Sequence, residues 1–464
     1  MARGKKTEKA LTPEEKLEQA LVPVEEQPYS VPENWCWVRL SAILAEIKNG
    51  TTIKQDKSGN GYFITRIESL QEQTIDFSRL GTVVNETDIR EIDWYKENDI
   101  ALSHINSIEH VGKTALITSN MLPLVHGMNL LRLRFTNSCY PKLFQFYSQS
   151  FQYKDAIVKR INMAVNQVSI NQRQLGNLEF PLAPMPEQQR IVARIESLFA
   201  KLDEAKEKAQ AVVDSFETRK AMILNKAFTG ELTAEWRNTH KLRLEEWEET
   251  TVGNIVSLIT KGASPRWQGI NYTDDTSQTL FVTSENIREG YMSFEKEKYL
   301  DNKINEIQRR SILHYGDVLV NIVGASIGRV AIFDRNQLAN VNQAVCIVRL
   351  KKDIDNQFIC FYLNSPLAQI YYSENKVETA RANISLSDIK TMPIKLPTID
   401  EQLAIIQILQ ELFSKDQQAK ETVEAVLGQI DTMKKAILAR AFRGELGTND
   451  PADESAVELL KKVV

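Results

Sequence analysis

The stretch EQQRIVARIESLFAKLDEAKEKAQAVVDSFETRKAMILNKAFTGEL, Glu187 to Leu232, is matched by a second, EQLAIIQILQELFSKDQQAKETVEAVLGQIDTMKKAILARAFRGEL, Glu401 to Leu446. The offset is 214 residues throughout, without a gap, and both copies open on Glu-Gln and close on Ala-Phe-x-Gly-Glu-Leu. In the first copy Ile191, Ile195, Leu198, Leu202, Ala205, Ala209, Val212, Phe216 and Ile223 recur at steps of four and three, the heptad seam of a coiled coil. The second keeps that register through Ile405, Leu409, Leu412, Ala419, Val423, Val426, Ile430, Met433 and Ile437. Each helix thus carries a stripe the other can cover, and the two are expected to pair within one chain. Roughly 40 residues at about 1.5 Å each make a rod of ~60 Å, which would hold the flanking units at a fixed distance if the helices run antiparallel. Two polar residues interrupt the seam: Asp416 stands where the first copy has Leu202, and Arg219 where the second has Met433. They are expected to fix the register, the alternative being that they face a partner.

Outward from the helices, the text repeats again. Residues 31–183 and 241–397 echo one another: WVRLSAILAEIKNG is matched by EETTVGNIVSLITKG, GYFITRIESLQEQTIDF by TLFVTSENIREGYMSF, ENDIALSHI by YGDVLVNIV and LFQFYSQS by FICFYLNS. GYFITRI, DIALSHI, KTALIT and NLLRLRF have the β-branched or alternating character of strands, while PKLFQFYSQSFQYKDAIVKR has helical spacing. The fold class expected is α/β (α+β), with two pseudo-symmetric globular domains and two long antiparallel coiled-coil helices. The division is residues 1–30, an N-terminal arm with a short helix capped by Thr12; 31–183, the first domain; 184–240, the first long helix and a link; 241–397, the second domain; 398–447, the second helix; and 448–464, a tail whose ESAVELLKKVV is amphipathic. Prolines before each helix, among them Pro181, Pro184 and Pro186, mark the boundaries.

With 464 residues, 42% hydrophobic and 25% charged, the chain is too long for one core and has the composition of a folded globular protein. No apolar run is long enough to span a bilayer and the first residues lack a signal-peptide core, so a cytoplasmic location is expected. Cys36, Cys139, Cys346 and Cys360 are scattered, which implies buried thiols rather than disulfides or a zinc site. A net charge of −4 means that any nucleic-acid contact must come from local patches. The phosphate-binding, dinucleotide-binding, zinc-protease and nucleophile-elbow motifs are missing, as is the Asn/Asp-Pro-Pro-Tyr/Phe segment of amino-methylating enzymes. His104 and His110 lie near Asp99 and Glu109, but the second domain has Asn321 and Ile327 there. Polar surface contacts are therefore the expected role, with no catalytic or metal site.

This arrangement resembles the specificity subunit of type I restriction-modification enzymes. The resemblance covers nearly the whole chain and is carried by LAPMPEQQRIVARIESLF with LPTIDEQLAIIQILQELF, by KAFTGELTAEWR with RAFRGEL, and by PENWCWVRL around Trp35 and Trp37. It implies that each globular domain is a target recognition domain reading half of a split site in double-stranded DNA, with the helices as spacer and as docking surface for two modification subunits. It also implies that this chain binds no cofactor. S-adenosylmethionine would belong to the modification (methyltransferase) subunits, and ATP and Mg to restriction (translocase-nuclease) subunits. The rival readings are a protein- or carbohydrate-binding module on a coiled-coil scaffold and, with the methyl-donor motifs missing, less favourably a stand-alone DNA methyltransferase.

Loops that differ between two copies of one framework are where different half-sites would be read. The first loop holds Thr51, Thr52, Lys54, Gln55 and Lys57, against Ser264, Arg266, Trp267 and Gln268. The second holds Ser103, His104, Asn106, His110 and Lys113, against Asn321, Ser326 and Arg329; the third holds Arg160, Asn162, Asn166 and Gln167, against Arg381 and Asn383. Lys and Arg suit phosphate or guanine, and Asn and Gln suit adenine. The competing role for any one of them is a solvated turn or a helix cap.

Overall fold

Thr12 and Glu15 close a reciprocal capping box, the short Pro13–Ala20 helix follows, and the strand-like runs of the first domain become Tyr62–Ile64, Ile100–Ser103, Thr114–Leu116 and Leu130–Phe135. The computed structural model describes residues 12–56, 59–71, 73–163, 167–377 and 382–464. The chain divides into two compact units, Met1–Lys208 with Val426–Val464, and Ala209–Ala425. Each unit thus takes one globular domain together with a part of both long helices.

In the first unit, Leu44–Asn49, Leu130–Phe135, Ile100–Ser103 and Thr114–Leu116 form an antiparallel sheet in that order. In the second, Val256–Lys261, Val345–Leu350, Val318–Asn321 and Val330–Ile332 repeat it strand for strand. The same ion pair braces both sheets, Arg134 to Asp99 at 2.7 Å and Arg349 to Asp317 at 2.7 Å. The helical run after the sheet breaks in two, Pro141–Tyr147 and Phe151–Val158, because the Ser150 side chain caps the second helix. The units differ where their sequences do. The second builds a further four-stranded sheet from Tyr272–Thr273, Tyr299–Leu300, Thr279–Val282 and Ala339–Val341, while the matching stretch of the first forms, among the described residues, the separate strand pairs Tyr62–Ile64 with Gly81–Val83 and Leu70–Gln71 with Thr74–Ile75.

Each unit's first and last strands pair, Cys36–Arg39 with Glu179–Leu182 and Glu248–Thr251 with Pro393–Leu396, so the chain leaves each domain beside the point where it came in. The long helices then run over Met185–Phe228 and Ile399–Ala441. Their Glu-Gln openings are fully buried anchors. Gln188 accepts from the Tyr140 N–H (2.7 Å) and donates to Ser138 O (2.8 Å) and Ala183 O (2.9 Å). Gln402 likewise accepts from the Asp355 N–H (3.0 Å) and donates to Pro397 O (3.0 Å).

Within each unit the helix segments are antiparallel neighbours: Asp203 meets Lys434 and Lys206 meets Asp431 in the first, and Arg219 meets Asp416 at 3.0 Å in the second. The two seam interruptions are therefore each other's partner. Seam burial is uneven. Ile191, Ile195, Phe216, Ile405, Leu409 and Ile430 are buried, whereas Ala205, Val212, Ala419 and Val426 are exposed. A helix pair covers one face only, and the deep positions near the helix starts are those that also pack on a globular core. All four cysteines are free and buried, and burial pushes the thiols of Cys36, Cys346 and Cys360 up to about 12. Among the described residues no helix is long and apolar enough to cross a membrane, and no group of His, Cys, Asp and Glu side chains could hold a metal ion.

Candidate nucleic-acid interface

The first nominated loop pivots on a glycine in both units, and the reason is steric. A Cβ on Gly50 would sit 1.8 Å from Gly127 O, and one on Gly262 1.7 Å from Val341 O. These close approaches seat the loop on a turn, residues 126–129 in one unit and 341–344 in the other. The Thr51 N–H donates to His126 O at 2.9 Å. The same turn reaches the second loop: Leu130, at its end, pairs with Ser103 in the first unit, and the Ile322 N–H donates to Ala344 O at 2.9 Å in the second. The third loop joins as well. Ile105–Asn106 pairs with Val168–Ser169, which pairs with Asn162–Met163, and the Ile170 N–H donates to His104 O. In the second unit Val323 bridges Asn383 and the Ile384 N–H donates to Ile322 O at 3.0 Å. Residues spread over more than a hundred positions in each unit thus converge on one surface.

Not every nominated side chain is free to face a ligand there. Lys57, Asn166 and Arg381 lie outside the described residues. Thr51, Ser103 and Asn321 are buried, which corrects their assignment as contacts. Ser103 Oγ accepts from Asn106 Nδ2 (3.2 Å), and Asn321 donates to Ser284 O (3.1 Å) and Ser326 Oγ (3.2 Å), so these groups brace the second loop from within. Arg160 is engaged within the unit: its guanidinium is bound to Glu179, which also holds Arg39 at 3.0 Å. Asn162 forms a two-way amide pair with Gln174 at 3.1 Å, Gln55 accepts from Arg66 Nε at 2.5 Å, and Gln268 accepts from Gln308 Nε2 at 3.0 Å. Burial lowers the His104 imidazole's proton affinity, and its Nδ1 is buried without a hydrogen-bond partner.

The exposed candidates are Thr52, Lys54, His110 and Gln167 in the first unit and Arg266, Trp267 and Arg329 in the second, with Lys113, Ser264 and Asn383 partly exposed. Arg309 and Arg310, not among the nominated residues, join the second set. Gln308, the residue before them, also accepts from the Ala263 N–H at 2.9 Å and so ties their segment beneath the first loop. The adjacent arginines in INEIQRRSIL were visible in the sequence, but their place beside that loop was not. In both units, backbone glycines and buried amides present a few unpaired polar, cationic or aromatic side chains on a braced surface, which suits contact with phosphates and base edges.

Comparison with known proteins adds an independent line. The profile of the family described as type I restriction modification DNA specificity domain matches residues 32–213 and 245–427. A protein named as the MjaX specificity subunit of a type I restriction enzyme, from Methanocaldococcus jannaschii, is 32% identical over 434 residues, covering 90% of this chain and 94% of that one. The EcoBI type I restriction enzyme specificity subunit of Escherichia coli is 28% identical over 364 residues, covering 74% and 75%. Among solved structures, the HsdS subunit from Thermoanaerobacter tengcongensis matches with a TM-score of 0.60 at 16% identity, covering 91% of this chain and 100% of that one. A chain from a structure concerned with complex assembly and conformational transition of the type I R-M system reaches 0.67 at 16% identity, covering 90% and 100%. At such identity these two likenesses speak for the fold.

Proposed function

This chain belongs to the type I restriction-modification DNA specificity family, and from that premise we propose that each of its two units reads one half of a bipartite double-stranded DNA site through its three joined loops. The observation that carries the proposal is the pair of loop clusters: one glycine-pivoted framework, built twice, presents Thr52, Lys54 and His110 in one unit and Arg266, Trp267 and Arg329 in the other. Equal frameworks with unequal side chains are what two different half-sites require. The unpaired cations position the duplex by its phosphates, and those that reach the major groove discriminate bases.

In this reading the chain recognises and its partners react. Two modification subunits dock on the long helices, where Val212, Met222, Val426 and Met433 leave apolar surface exposed, and bring S-adenosylmethionine to the target base. Restriction subunits bring ATP and Mg for translocation and cleavage. The chain itself binds neither cofactor.

Genome-wide methylation mapping of the host with and without this chain tests the proposal. A two-part motif with an unread gap should vanish on deletion, and Arg266→Ala should lower affinity for the mapped duplex by about 1–3 kcal/mol through changes in one half only. An unchanged methylation pattern would rule the reading out.

A further inference from the structure

Trp267 is 93% exposed, although an indole carries roughly 150–250 Å² of largely apolar surface and is ordinarily mostly covered. It does not sit on a loose loop. Pro265–Gln268 is a 3₁₀ turn closed by Gly269 at φ 71°, with Pro265 and Ile270 buried on either side. Gln308 clamps it from below through Gln268 Oε1 and the Ala263 N–H. The fold therefore holds the indole in solvent. The matching position in the first unit is Gln55, which is turned inward onto Arg66. Exposed arginines accompany it: Arg266 precedes Trp267, Arg309 and Arg310 follow the clamping Gln308, and none of the three has a carboxylate within ion-pair distance among the described residues. Tyr272, 58% exposed on the strand that follows, adds a second aromatic face.

We infer that Trp267 is a base-stacking contact of the second unit, its indole laid on or wedged into a base step while Arg266, Arg309 and Arg310 neutralise the flanking phosphates. The chemistry of the site favours a nucleic acid over a protein surface, because a projecting aromatic accompanied by unpaired arginines matches the π-faces and phosphates of DNA together. Stacking contributes affinity that does not depend on counter-ion release, whereas each phosphate contact steepens the salt dependence. The inference rests on the proposed reading of DNA by the second unit.

The test uses the full chain assembled with its modification subunits and a duplex carrying the mapped target, with 2-aminopurine placed in turn at each step of the second half-site. Wild-type binding should raise 2-aminopurine fluorescence at one step. Trp267→Ala should abolish that signal and weaken binding by between about 5- and 150-fold without changing the salt slope. Trp267→Phe should recover most of the affinity, and Arg266→Ala should reduce the salt slope by about one. A Trp267→Ala complex that binds the duplex like wild type overturns the inference. So does a variant whose only defect is loss of co-purification with the modification subunits, which would make Trp267 a protein contact. Failure of the wild-type complex to bind the mapped duplex would instead sink the DNA reading itself.

Discussion

Glu187 and Glu401 hold the same place at the start of the two long helices, yet different parts of the chain satisfy them. Glu187 accepts from Trp35 Nε1 at 2.7 Å, Asn449 Nδ2 at 2.9 Å and Thr448 Oγ1 at 3.3 Å. Glu401 accepts from Trp247 Nε1 at 2.9 Å, Thr233 Oγ1 at 2.7 Å and Arg237 Nη1 at 2.6 Å. In both units the segment after the Gly-Glu-Leu that ends one helix returns to the carboxylate that starts the other. In the first unit that segment is the C-terminal tail, anchored by buried Ala456 and Leu460, and in the second it is the continuous link. Among the described residues only Glu401 takes a cation directly, Arg237, which is itself buried against Trp247, whereas in the first closure Arg190 binds Thr448 O at 3.0 Å and Asp453 of the tail, leaving Glu187 with neutral donors. One architectural need has thus been met by neutral hydrogen bonds in one unit and by a buried ion pair in the other.

Removing the carboxylates should separate the two closures most sharply. Glu401→Ala leaves the Arg237 guanidinium buried without its counter-charge and should cost about 3–5 kcal/mol. Glu187→Ala strands only neutral donors and should cost about 1–3 kcal/mol. Denaturant unfolding followed by tryptophan fluorescence measures both, and equal losses would mean that the ion pair adds nothing.

A second contrast is pH. His126 is buried in the turn under the first unit's loops, its Nε2 3.0 Å from Leu130 O, with Asp93 and Arg132 nearby, and burial pushes its pKa down to about 3. The matching turn of the second unit, residues 341–344, holds no histidine. Below the ordinary imidazole value of about 6.5, the unfolded chain takes up a proton that the folded unit refuses. His126 should therefore destabilise the first unit progressively as pH falls from about 6.5 towards 3, by up to ~1.4 kcal/mol per pH unit, and contribute no pH dependence above that range. Melting curves of wild type and His126→Val between pH 7 and 5 should diverge on the acid side alone. Parallel curves would remove this asymmetry.

The smallest effect is expected at the helix seam. The Arg219–Asp416 pair of the second unit stands where the first has Met433 and Leu202. Arg219→Met alone leaves Asp416, partly buried and with Oδ2 already lacking a hydrogen-bond partner, without its cation, and should destabilise. Adding Asp416→Leu should return stability to within about 1 kcal/mol of wild type. A double variant less stable than the single one would show that the pair fixes register and is more than a tolerated substitution.

Periodicity is a local property, so the heptad stripes, the repeated strands and the capped helix at Thr12 could be read directly from the chain. The 214-residue repeat was equally plain, and with it the family resemblance. The role of the Glu-Gln pair was not legible, because its partners lie far away in sequence: Tyr140 and Asn449 for one copy, Asp355 and Arg237 for the other. Nor could the sequence separate open from committed side chains within the nominated loops. Arg160 and Arg266 look alike as text, yet one is held by Glu179 and the other is free. The sequence by itself determined the architecture and which loops differ between its two copies. Only the tertiary structure decided which residues in them can meet a ligand, because a polar group's availability depends on partners that folding brings from elsewhere in the chain.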